Sequence, residues 1–174
     1  MANHYEEATV APFIPGDMVT ELEKTLLRGF GFEYESSDSN GVEELYFYAD
    51  TSTSEEFNDD LPPLTLAGEQ DDAELVASLK RYYQSRGIDP TQGQVEGDSF
   101  HDELPVNWTS LFQGISRRMQ GDDPKPVPIS VEAAFYCDKM RPGEFGGWVS
   151  VITADQVKSG STKSLLSSFL REFE

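Results

Sequence analysis

Apolar residues recur in this chain first at helical and then at strand spacing. Val19, Leu22, Leu26 and Leu27 stand three and four residues apart, which puts them on one side of a 3.6-residue turn and predicts a helix over residues 18–28. Asp17 is its expected cap, and Gly29 or Gly31 can end it in a left-handed conformation. The period then drops to two. Residues 30–37 and 42–51 are β-rich runs flanking Asn40-Gly41, the dipeptide that best accepts the two positive φ angles of a tight hairpin turn. With those two as the loop residues, Glu35 opposes Tyr46 and Glu33 opposes Tyr48. Successive side chains point to opposite faces, so Phe32, Tyr34, Leu45, Phe47 and Ala49 form a core face. Glu33, Glu35, Glu44, Tyr46 and Tyr48 form the other.

Residues 52–69, rich in Ser, Asp, Glu and Pro, interrupt the periodicity as an irregular acidic connection, and Pro62-Pro63 excludes regular helix there. Helical spacing returns over residues 71–86, where Leu75, Val76, Leu79, Tyr82 and Tyr83 share one side. Acids in the first turn and Lys80, Arg81 and Arg86 toward the end suit the helix dipole, and Gly87 and Pro90 end the element. Residues 88–105 have little to pack and read as a long surface loop. Asn107 caps a third helix through Trp108, Leu111, Phe112, Ile115 and Met119. Residues 122–128 form a stiff extended lead into a strand whose Ile129, Val131, Ala133, Phe135 and Cys137 share a face. Its partner is residues 148–153, across a glycine-rich loop at 142–147. A final helix, capped near Ser161 or Thr162, presents Leu165, Leu166, Phe169, Leu170 and Phe173. With a weak early strand at 9–13, the order is β-α-β-β-α-α-β-β-α. Hairpin-linked strands with segregated helices predict an α+β class: one domain over residues 1–174, an antiparallel sheet of hairpins packed by about four helices.

Composition supports a folded body. Hydrophobic residues make up 37% of the 174, too many for a disordered acidic tail, and a chain of this length buries roughly 70% of the surface its unfolded form exposes. A core of that size needs no disulfide or metal staple. Cys137 is the single cysteine, which excludes an intrachain disulfide and fits a reducing compartment. The first residues, Met-Ala-Asn-His-Tyr-Glu-Glu, carry neither a basic nor an apolar signal region, and no run reaches the ~18 apolar residues of a membrane span. The expectation is a cytoplasmic protein without membrane contact.

Catalytic chemistry finds few candidates. Cys137 shares its strand face with four apolar residues and reads as an inert core thiol. The only imidazoles are His4 and His101, and His101, beside Asp102, reads as a solvent-facing side chain. Asp38-Ser39-Asn40-Gly41 superficially matches a calcium loop, but Phe47 stands where the bidentate glutamate would belong. Residues 143–147 lack the lysine of a phosphate-binding loop. No catalytic residue, metal site or cofactor is expected, and the protein is not expected to be an enzyme.

Charge changes the picture most. The chain carries a formal net charge of −19. Residues 29–79 hold 14 carboxylates and no lysine or arginine, which divides the sequence into an acidic half, 1–79, and a near-neutral half, 80–174. Acidity that serves solubility or salt adaptation spreads evenly; this acidity does not. Such a field attracts basic surfaces and repels nucleic acid and anionic membranes. Duplex DNA presents one charge about every 1.7 Å, so ~14 carboxylates on one face would imitate roughly 24 Å of duplex. The expected partner-binding residues are Glu33, Glu35, Glu43, Glu44, Tyr46, Tyr48, Glu55, Glu56, Asp59, Asp60, Asp71 and Asp72, the tyrosines as aromatic anchors. By charge alone the chain is analogous to DNA-mimicking inhibitors, carried by phages and plasmids, that block restriction enzymes or CRISPR effector complexes. The functional expectation is therefore an acidic inhibitor, an anti-CRISPR or antirestriction protein, that occupies the basic nucleic-acid site of a bacterial defence complex inside the host cell. The alternative is an acidic adaptor or immunity-type protein that binds one basic protein through a compact hot spot.

Overall fold

The computed structural model describes residues 4–50, 61–93, 104–137 and 144–172. Seven strands form one antiparallel sheet: β1 His4–Ala11, β2 Ile14–Pro15, β3 Glu33–Ser39, β4 Val42–Ala49, β5 Ile129–Cys137, β6 Gly146–Ile152 and β7 Val157–Ser161. β4 pairs with β3 along one edge and with β1 and β2 along the other; β1 continues to β5, β5 to β6 and β6 to β7. The described helices are α1 Glu21–Gly29, α2 Ala73–Arg86, α3 Trp108–Gln120 and α4 Thr162–Arg171. The arrangement is α+β, as the sequence pattern predicts.

The β3–β4 hairpin turns where expected. Asn40 and Gly41 both take positive φ, 57° and 81°, and Asp38 Oδ1 accepts the Gly41 N–H at 2.8 Å. The register pairs Glu33 with Tyr48 and Glu35 with Tyr46. Leu45 and Phe47 are consequently buried. They join a core built from β1, β4, β5 and β6 on one side and from Leu22, Leu26 and Leu27 of α1, Leu79 and Tyr83 of α2 and Leu111, Phe112 and Ile115 of α3 on the other. Cys137 is buried at the end of β5, as its alternation requires.

Four local expectations are corrected. The first helix is capped by Thr20, not Asp17: the Thr20 side chain accepts the Glu23 N–H at 3.1 Å while Glu23 Oε2 accepts the Thr20 N–H at 3.0 Å, so two orphan donors are satisfied reciprocally. Asp17 sits in a preceding 3-10 turn, Gly16–Met18. The first strand is longer and earlier than residues 9–13, because β1 is held along its length by β5. The segment after α2 is packed before it reaches residue 94: Ile88 is buried, and the Leu64 N–H donates to the Pro90 carbonyl at 2.7 Å. Gly146 and Gly147 lie inside β6, not in a loop. A Cβ at Gly147 would meet the Ala133 carbonyl at 2.5 Å, so close backbone approach explains the glycine. The last strand, β7, has no counterpart in the sequence reading.

Candidate functional site

Strand register brings the acidic candidates together. Glu33 and Glu35 of β3 and Glu44, Tyr46 and Tyr48 of β4 share the face opposite α1, α2 and α3. Thr9 of β1 pairs with Tyr48, Glu132 of β5 pairs with Thr9, Glu7 with Ala134 and Tyr5 with Tyr136. The same face therefore continues from β3 through β4 and β1 to β5 and gains Glu7, Glu132, Tyr5 and Tyr136. Strands lie about 4.8 Å apart and same-face residues about 6.8 Å apart along a strand, so the carboxylates form a spaced lattice anchored on backbone hydrogen bonds.

Two tyrosine pairs interrupt the acid. Tyr46 and Tyr48 stack with ring centroids 5.8 Å apart, and Tyr5 and Tyr136 with centroids 5.0 Å apart. Phe13, an exposed residue of the loop after β1, meets the edge of Tyr46 at 5.6 Å. The lattice leaves an electrostatic mark on its own rings. Partial burial, then the carboxylates of Glu35, Glu33 and Asp50, push the Tyr48 phenol above its ordinary value. Tyr136 is raised by desolvation and by Glu7, whose Oε1 accepts its hydroxyl at 3.3 Å. Both rings stay neutral in a field that disfavours a further negative charge, and both keep a hydroxyl to donate.

The structure separates other candidates from this face. Glu43 alternates to the helix side, where its carboxylate lies against Gly16, so the Glu43-Glu44 doublet is split between the two faces. Asp71 accepts the Thr20 hydroxyl at 2.6 Å and the Gly68 N–H at 2.7 Å. Asp72 caps α2 through the Glu74 N–H at 2.8 Å and meets Arg117 at 3.2 Å. Both are engaged in holding helices and do not belong to the outer lattice. Glu55, Glu56, Asp59 and Asp60 lie outside the described residues, as does His101.

Basic side chains are drawn the other way. Arg118 holds the buried Glu23 and also donates to the Met18 carbonyl at 3.0 and 2.9 Å. Lys24 pairs with Glu21 at 2.8 Å. Arg28 approaches Glu33 at 3.6 Å, on the rim of the acidic face, and lies over the Tyr34 ring. Along the outward positions of the described strands, starting at β3, the first cation is Lys158 of β7. Among the described residues no group of three His, Cys, Asp or Glu side chains could hold a metal ion, and no helix is long and apolar enough to cross a membrane.

Glu7 and Tyr5 escape the sequence pattern because periodicity alone puts the early strand at residues 9–13, past both of them. Glu132 and Tyr136 were legible as the outward half of the alternation in β5, but their nearness to Glu35 and Tyr46 depends on β1 lying between β4 and β5. No local signal states that. Comparison of the chain with family models, curated proteins and solved structures finds no match.

Proposed function

We propose that the outer sheet face binds a basic nucleic-acid-binding site on a bacterial defence enzyme, inside the host cell, and blocks it by standing in for DNA. The observation that carries this reading is the union of Glu7, Glu33, Glu35, Glu44 and Glu132 on one rigid face, with the basic residues held mainly on the helix side. Five carboxylates match the charge of roughly 8 Å of duplex axis at one charge per ~1.7 Å. That is a shorter imitation than the whole acidic segment would give. It still spans a patch that arginines and lysines of a groove can grip without reorganising the ligand. The chemistry is displacement: carboxylates take the cations that would otherwise neutralise phosphates, and the tyrosine hydroxyls supply donors beside them.

The stacked tyrosine pairs favour a second reading, in which one basic protein is bound through a compact hot spot, since tyrosine carries binding energy at interfaces out of proportion to its share. The two readings part on DNA competition. Labelled duplex bound to a restriction enzyme or to a guide-loaded effector is titrated with the protein, and the mimic displaces it. Glu33→Gln/Glu35→Gln/Glu44→Gln should weaken displacement about 10-fold or more, because each amide removes part of a distributed array. A ternary complex with unchanged DNA affinity would rule out competition for that effector and favour the hot-spot reading.

A further inference from the structure

We infer that α4 is the seam of a two-fold dimer, packing against α4 of a second copy of this chain. Leu165, Leu166, Phe169 and Leu170 are 54%, 57%, 51% and 57% exposed, although their spacing places them on one arc of the helix. The reason is the helix's rotation. α4 turns Ser164, Ser168 and only the near edge of its apolar arc, Leu165, toward its own sheet, leaving a cleft of about 610 Å³ above Glu132, Gly147 and Val149. At ~100° per residue, Phe169 then points sideways and Leu166 and Leu170 point outward, away from β6 and β7. A serine-faced helix cannot close on its own sheet, and among the described residues its apolar arc has no cover.

A second copy fits this arc better than a basic protein or a lipid surface. The arc is uncharged and Lys163 and Arg171 flank it, so nothing in it selects a cationic partner. A chain of net charge −19 is repelled by anionic membranes. Residues 129–174 hold six acids and five bases, so this is the end of the molecule at which two copies meet with least repulsion. The same helix on both copies supplies a self-complementary patch, the requirement of an isologous contact. The four side chains offer on the order of 400 Å² of apolar surface per copy. With their polar flanks that brings the total to about 1,000–1,200 Å², the lower end of specific interfaces, so dissociation in the micromolar range is expected.

Sedimentation velocity on the full chain from about 1 to 200 μM tests the inference. Wild type should pass from monomer to dimer across that range, and added salt should strengthen the dimer by screening the repulsion between acidic bodies. Leu166→Glu/Phe169→Glu changes only exposed positions, so it should keep the wild-type circular dichroism melt and remain monomeric throughout. A Phe169→Cys variant should form an intermolecular disulfide under mild oxidation. Wild type that stays monomeric at 200 μM overturns the inference, and if it also floats with phosphatidylcholine vesicles the arc belongs to lipid. A dimer that survives Leu166→Glu/Phe169→Glu overturns it as well, by placing the contact elsewhere. No DNA or effector enters the measurement, so the outcome is independent of the acidic face's proposed role.

Discussion

Glu23 shows how one buried carboxylate is made tolerable. It is 1% exposed, yet it completes the α1 capping box and pairs with Arg118, which also donates to the Met18 and Gln70 carbonyls. Burial outweighs Arg118 and Thr20 and raises the Glu23 pKa above its ordinary 4.5. The folded state therefore holds this proton more tightly than the unfolded chain. Stability from this group is fully present below about 4.5 and is lost as pH rises through the raised folded value. Glu23→Gln, which cannot titrate, should remove that component: subtracting its urea midpoints from those of wild type across pH 4 to 7 should leave a slope falling with pH. Glu23→Ala leaves the half-buried Arg118 without its carboxylate, though still on the Met18 carbonyl, and should cost about 2 kcal/mol in chemical denaturation. Half of this has a local signal, one that the choice of Asp17 as the cap passes over. Thr20 followed by Glu23 is a capping-box signature, but the partnership with Arg118, 95 residues away, has no local trace.

At the scale of the element, legibility tracks how strongly a segment's own chemistry limits its backbone. The β3–β4 hairpin was readable down to its register because Asn40-Gly41 admits few alternatives to the turn it makes. Gly41→Val should therefore cost about 1–2 kcal/mol, the penalty for a side chain forced to positive φ, seen as a lowered thermal midpoint with the fold retained. An equal loss from Gly160→Ala, at a glycine with nothing within 4 Å of an added Cβ, would show that the turn geometry is not the cause. β7 marks the opposite case. Its Val-Lys-Ser-Gly-Ser sequence is poor in strand formers, and its turn lacks glycine. The Thr153 N–H closes that turn on the Gln156 carbonyl at 2.8 Å, and the Thr153 side chain accepts the Gln156 N–H at 3.2 Å. Pairing with β6 imposes the strand. The apolar period of α4 was equally plain, but periodicity identifies a stripe without saying what covers it.

Across the whole molecule the sheet gathers Glu33, Glu35 and Glu44 of the acidic block with Glu7 and Glu132 into a directional field. A basic partner approaching β3 and β4 meets carboxylates held by backbone pairing, and binding through them should be fast and salt-sensitive. Between about 0.01 and 0.15 M ionic strength the screening length falls from ~30 to ~8 Å. The association rate constant for a basic partner should drop at least ~10-fold over that range while dissociation changes far less, which stopped-flow fluorescence can resolve. The acidic half and the near-neutral half are nonetheless not separable units. β1 lies between β4 and β5 and pairs with β5 from His4 against Cys137 to Ala11 against Ser130. At ~5–20 residues per second on the ribosome, its core-facing Ala8 and Val10 wait roughly 6 to 25 seconds after synthesis before their neighbours on β5, Ala133 and Val131, exist. The acidic hairpin is made early, but during that interval it adjoins a strand with one unfilled edge, the kind of edge that recruits foreign strands. Its carboxylates, crowded beside that edge, carry like charge on every copy, which raises the electrostatic cost of one half-made chain pairing with another through it.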